Sequence, residues 1–168
     1  MIDLDAALRL LAGAGVEFIV VGGVAARAHG STHLTNDLDL LYSRTPENIR
    51  RIASALAPYS PYLRGAPPGL PFRWDAETIA RGLNFTLTTS FGDLDLLGEI
   101  TGGGSYERLL PESALIDAFG VRVRCLALEP LIRVKRAAGR PKDFEVIAEL
   151  EALKDERDNP KDSPAPQS

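Results

Sequence analysis

The chain has 168 residues, 45% of them hydrophobic and 25% charged, which predicts one soluble globular domain with a real core. Its net charge of −4 argues against a broad nucleic-acid-binding surface and leaves room only for a local basic pocket. The single cysteine, Cys125, excludes an internal disulfide framework, reads as a packing residue, and fits a reducing, cytoplasmic setting.

The acidic, amphipathic opening "MIDLDAALRL" does not read as a signal peptide. Leu4, Leu8 and Leu11 recur at helical spacing and predict a helix over 3–14, ended by Gly13 and Gly15. "EFIVV" (17–21) reads as a buried strand bounded by Gly22-Gly23, with a short helix, "VAARAH", after the glycines. The longest apolar stretch, "VEFIVVGGVAARA", is too short and too glycine-interrupted to span a bilayer, so no membrane association is expected. "DLDLL" (37–41) is a second strand. "TPENIRRIASAL" is a helix capped by Thr45, with Pro46 in its first turn and Ile49, Ile52, Ala53 and Leu56 on one face. Residues 57–75 hold five prolines and two glycines, the chemistry of a lid or binding loop, in which "PYLR" is a candidate edge strand. "LNFTLTT" (83–89) and "GDLDLLGEI" are close enough for a hairpin, and "VRVRCLAL" alternates as another strand. Two helices follow, "LEPLIRVKRAAG" and "PKDFEVIAELEALKDE", separated by Gly139 and Pro141. The polar, proline-rich end is expected to be disordered.

One pentapeptide, Asp-Leu-Asp-Leu-Leu, occurs twice, at 37–41 and 93–97. On a strand, Asp37 and Asp39 share one face, about 6.5–7 Å apart. At an effective dielectric of 20 they repel by roughly 2–3 kcal/mol. Asp93 and Asp95 worsen this if the strands are neighbours. A solvated face is the bland explanation, yet strands disfavour Asp, and Thr or Lys would serve a wet face better. Two such pairs, with a Gly-Gly turn upstream of the first, point to a divalent cation. Carboxylate oxygens with few other ligands suit Mg²⁺. The turn between a buried strand and a helix lets an anion approach the backbone.

These residues resemble the nucleotidyltransferase superfamily, the fold shared by DNA polymerase beta and the aminoglycoside nucleotidyltransferases. The pattern is met by Gly22-Gly23, then Asp37 and Asp39, then a third carboxylate, Asp95, with Asp93 its rival. More narrowly, "VVGGVAARAHG…TNDLDLL", "LNFTLTTSFGDLDLLGE" and "LIRVKRAAGRPKD" resemble the AbiEii-type nucleotidyltransferase toxins, over roughly residues 16–154. The second turn position is Gly23, where antibiotic-modifying members commonly carry Ser. His33 stands where related toxin-like sequences often carry Arg.

The resemblance implies an α+β fold: a mixed, mostly antiparallel sheet of four to six strands flanked by helices. It implies one domain over 1–154, with a short C-terminal helical cap at about 128–154 and a tail over 155–168. Asp37, Asp39 and Asp95 would bind one or two Mg²⁺ ions and act in catalysis. Gly22 and Gly23 would hold the phosphates of an NTP substrate. Of the basic cluster Arg133, Lys135, Arg136, Arg140 and Lys142, the candidates for neutralising triphosphate charge are Lys135 and Arg140. The implied reaction moves a nucleoside monophosphate to an RNA or protein acceptor, with a cognate antitoxin as partner. The alternatives are a small-molecule, antibiotic-type acceptor and a silent nucleotide-binding module. His29 reads as packing or capping, Tyr42, Phe72 and Trp74 as core or loop packing, and Arg64 and Arg73 as flanks of the proline-rich loop.

Overall fold

The computed structural model describes residues 1–159. In chain order the elements are α1 (Leu4–Gly13), β1 (Phe18–Val21), α2 (Gly22–Ala28), β2 (Asp37–Tyr42), α3 (Pro46–Leu56) and β3 (Tyr62–Leu63). Then come α4 (Ala76–Arg81), β4 (Phe85–Thr89), β5 (Gly92–Leu97), β6 (Glu99–Ile100), β7 (Gly104–Ser105) and α5 (Tyr106–Leu109). The chain continues with β8 (Ser113–Ala118), β9 (Val121–Leu126), α6 (Leu128–Ala138) and α7 (Phe144–Asp158).

Local chemistry sets many of these boundaries. Asp3 caps α1 by accepting from the Ala6 N–H, and Thr45 caps α3 by accepting from the Asn48 N–H, with Pro46 in the first turn. Asn48 is itself buried and spends its whole amide on the backbone: Oδ1 accepts from Glu17 N at 2.7 Å, and Nδ2 donates to Glu17 O and Ser43 O at 3.0 and 2.7 Å. One side chain thereby ties α3 to the chain entering β1 and leaving β2.

The main sheet has seven strands in the order β3-β4-β5-β2-β1-β9-β8, and β6 and β7 form a separate ribbon. Four pairings are antiparallel, and two, β1–β9 and β2–β5, are parallel. The sheet is therefore mixed and mostly antiparallel, and larger than the four to six strands expected. The uncounted strand is β8, which pairs with β9 along its whole length. It is an edge strand that leaves Leu115 half exposed, so its sequence carries little of the apolar alternation that marks a strand. The short helix α4 was not anticipated either; it starts where Asp75 accepts from the Thr78 N–H at 2.8 Å.

Helix α3 contacts both α1 and α4, and α6 contacts both α2 and α7 as a second group. The second group lies over the carboxylate face, because Lys135 of α6 lines the same cavity as Asp39 and Asp95. The proline-rich segment is packed down rather than open. Tyr62, Phe72, Trp74 and Phe85 meet as a run of edge and tilted aromatic contacts, and Trp74 Nε1 donates to Ala53 O at 3.1 Å. Helix α7 continues to Asp158, so the first four residues of the expected tail are helical. The rest of that tail, 160–168, lies outside the described residues.

Candidate active site

The two copies of the pentapeptide lie side by side. Strands β2 and β5 run parallel in register, with Asp37 opposite Asp93, Leu38 opposite Leu94, Asp39 opposite Asp95 and Leu40 opposite Leu96. The four leucines share the buried face, at most 1% exposed. Each adds about 1.5–3 kcal/mol of apolar burial that offsets the cost of crowding the other face with acid. On that face, carboxylate oxygens of Asp37, Asp39 and Asp95 lie within 4.8 Å of one another, the one such group among the described residues. Asp93 stays outside it. Its side chain is 40% exposed against 19% for Asp95, and it pairs with Arg64 Nε at 3.3 Å. Arg64 also donates through Nη2 to Asp95 Oδ1 at 2.8 Å and to Leu87 O at 2.7 Å. The loop after β3 therefore delivers a cation to the outer side of Asp95.

Burial pushes Asp39 up to about 8, reinforced by the charges of Asp37 and Asp95 and opposed by Lys135. Asp95 is also raised by burial, with Arg64 acting against the shift. Asp39 Oδ1 is buried without a hydrogen-bond partner. An orphaned carboxylate oxygen within an all-oxygen cluster of three acids is a donor set that fits a hard divalent cation such as Mg²⁺.

Both glycines of the turn are required by close approach. Gly22 has φ +65°, and a Cβ there would penetrate the Asp39 carboxylate. A Cβ at Gly23 would come within 2.9 Å of Thr35 Cβ and 3.0 Å of Thr35 Oγ1. Thr35 is in turn fixed by donating to Asp37 O at 3.1 Å and Asp37 Oδ1 at 3.2 Å. A serine at position 23 would collide with this threonine, which explains the departure from Ser at the second turn position.

Two cavities share Asp39, Asp95, Lys135 and Arg140. The larger, about 400 Å³, is polar, and its wall includes Gly23, His33, Thr35, Arg64 and Lys142. The smaller, about 250 Å³, has an apolar wall that includes Leu97, Ile100, Leu131 and Val134, with Asn84 and Glu99 as polar members. Lys135 is nearly inaccessible at 6% exposure, and burial lowers its pKa against the pull of Asp143 and Asp39. The Asp143 carboxylate, also buried, accepts from Arg140 Nε at 2.7 Å and lies 3.7 Å from Lys135 Nζ. The remaining arginines of the basic cluster face elsewhere: Arg133 pairs with Glu112, and Arg136 with Glu151.

His33 sits with its two ring nitrogens 3.2 and 3.4 Å from Glu149 and Glu145, which raise its pKa and favour its charged form. Thr32 donates to the same Glu149, so the loop before β2 is pinned to α7. His29 caps α2 and bonds through Nε2 to Leu126 O at 2.8 Å, and Tyr42 is fully buried with its hydroxyl donating to Leu83 O. Neither lines a cavity shared by the carboxylates. Three site residues had escaped assignment: Thr35, Arg64 as a partner of Asp95, and Asp143. Only Asp143 had a local signal, the "GRPKD" turn in which it stands.

No protein-family model matches the chain, and no curated protein matches it in sequence. Solved structures that share its fold include two nucleotidyltransferase-type proteins. The lincosamide antibiotic adenylyltransferase LnuA, with lincomycin bound, is 14% identical with a TM-score of 0.60, over 89% of this chain and 95% of that one. A Thermotoga maritima protein assigned as a nucleotidyltransferase is 15% identical with a TM-score of 0.53, over 90% of this chain and 96% of that one. The architecture is thus that of nucleotidyltransferases.

Proposed function

We propose that the chain is a Mg²⁺-dependent nucleotidyltransferase that moves a nucleoside monophosphate from an NTP to an acceptor and releases pyrophosphate. The observation that carries this is the meeting of Asp37, Asp39 and Asp95 beside Gly22, with Lys135 and Arg140 on the walls of both adjoining cavities. In this reading the three carboxylates hold one or two ions. When bound, Mg²⁺ supplies charge neutralisation and Lewis acidity at the transferring phosphorus. The bare backbone at Gly22-Gly23 admits the triphosphate. Lys135 and Arg140 neutralise it and stabilise the charge that develops on the leaving group. Asp95, on β5 between β4 and β2, would complete the ion site or take the proton of an attacking hydroxyl.

For the acceptor, the motif resemblance supports RNA or protein, with a toxin-like role and a cognate antitoxin. A small-molecule acceptor is supported by the compact, half-apolar cavity of about 250 Å³ and by the likeness in fold to an antibiotic adenylyltransferase. Incubation with each of the four labelled NTPs, Mg²⁺ and total RNA, total protein or a panel of hydroxylated small molecules separates the two. Label in RNA or protein supports the first and label only in a small acceptor the second, and in either case Asp39→Ala abolishes it. Absence of label in every arm, with NTP still binding, would identify a silent module and overturn the proposal.

A further inference from the structure

We infer that Asp143 is a positioning residue: its buried carboxylate holds Lys135 and Arg140 apart from the acidic triad, keeping the cations free for phosphate and the acids free for metal. This rests on the reading of Lys135 and Arg140 as triphosphate ligands.

The device is the five residues Gly139-Arg140-Pro141-Lys142-Asp143. Gly139 ends α6 in the left-handed region at φ +65°, which turns the chain back on itself. Arg140 is extended, as a residue before proline should be, and Pro141 opens a single 3₁₀ turn ending at Asp143. The Asp143 N–H donates to Arg140 O at 3.0 Å, closing that turn. The reversal carries the Asp143 side chain back over the last turn of α6, beside Lys135, and only 7% of it stays exposed.

Its partners are few. The carboxylate takes Arg140 Nε at 2.7 Å and Arg140 Nη2 at 3.4 Å on its two oxygens, and stands 3.7 Å from Lys135 Nζ. Lys135 is as buried as Asp143 and, among the described residues, has no other carboxylate within 4.0 Å. Take Asp143 away and a buried ammonium must find another anion. After Asp143, the acid that acts on Lys135 is Asp39 of the triad, which in turn feels the Lys135 charge. A lysine collapsed onto Asp39 would compete with a divalent cation and withdraw from phosphate at the same time. Asp143, on the wall of the same polar cavity, prevents both by holding the two cations.

The test uses the full chain and two binding readouts: Mn²⁺ alone, and a non-hydrolysable NTP analogue with Mg²⁺, each by calorimetry. Asp143→Asn is expected to weaken both by about ten- to hundredfold, in the range seen for supporting partners of ligating groups. Lys135→Met is expected to weaken the analogue and leave Mn²⁺ binding intact. Adding Asp143→Asn to Lys135→Met removes the unpaired buried cation, so this double variant folds even if the single one does not. It is expected to bind Mn²⁺ as Lys135→Met does. A loss of Mn²⁺ affinity in that background means Asp143 acts on the metal directly and overturns the inference, as does wild-type binding of both probes by a folded Asp143→Asn. If instead Lys135→Met and an Arg140→Met variant both bind the analogue normally, the triphosphate reading fails. The Mn²⁺ arm would then still judge Asp143.

Discussion

Strands β2 and β5 carry the same five residues in register, yet their acids meet different fates. The leucines behave alike in both, because one apolar face meets one core. The aspartates differ through what approaches from outside the strand. Asp39 is pressed against the bare Cα of Gly22 and has an oxygen with no partner. Asp95 is bonded by Arg64 from a loop on the far side, and Asp93 is drawn outward to the same guanidinium. Identical sequence thus supplies two acids of the triad from one copy and one from the other, with the fourth left outside and sharing an arginine with Asp95. Strand periodicity chooses the face; tertiary neighbours choose the role.

The contrast can be broken by substitution. The largest effect is expected at Asp39: Asp39→Ala should lower turnover by at least about a thousandfold, since it removes a central charge-stabilising ligand. Asp93→Ala, the same substitution two residues before the register partner of Asp39, should cost less than about tenfold. Equal losses in a steady-state assay would contradict the division of labour. On the shared apolar face the copies should instead be interchangeable. Leu40→Ala and Leu96→Ala should each destabilise by about 2–5 kcal/mol in urea denaturation, and a small loss in either would mean that the site collapses to fill the space. Gly22→Ala should cost about 1–3 kcal/mol of stability, from a strained left-handed backbone as well as the clash with Asp39, and should lower turnover with it.

The smallest effect concerns the loop before β2. Hydrogen bonds from Ser31, Thr32 and His33 hold Glu149 down at about 2, so its contribution is present above the ordinary carboxylate range and fades as pH falls below about 4.5. His33 is raised above 6.5, so its contribution is full below that value and is lost as pH climbs through the raised one. The two windows overlap in mildly acid solution. His33→Ala should therefore lower the melting temperature most near pH 5–6 and converge with wild type in alkaline buffer; a pH-independent difference would show that the ring acts by packing alone.

Much of this was legible in the chain. Strand β1 announces itself by a short apolar run ended by glycines, β2, β4, β5 and β9 by alternation, and helices α1, α3 and α6 by their apolar spacing and by caps such as Thr45 and Pro46. The acidic triad was legible because strands are depleted in Asp, so a repeated Asp-Leu-Asp stands out. What stayed hidden depended on contacts distant in sequence. Asp93 and Asp95 of the same pentapeptide are separated by the pairing with β2, which sets Asp95 beside Asp39 and leaves Asp93 the more exposed. Thr35 gains its role only where it meets Gly23, and β8 is concealed because an edge strand with an exposed Leu115 needs no clean alternation.

The central claim is that Asp37, Asp39 and Asp95 form one divalent-cation site while Asp93 does not belong to it. Mn²⁺ titration of the wild type and the four single Asp→Asn variants, followed by electron paramagnetic resonance, tests this without reference to any acceptor. Tight binding that is lost in the Asp37, Asp39 and Asp95 variants and kept in Asp93→Asn is the predicted result. A wild type that binds no Mn²⁺, or an Asp93→Asn variant as impaired as Asp39→Asn, would contradict it.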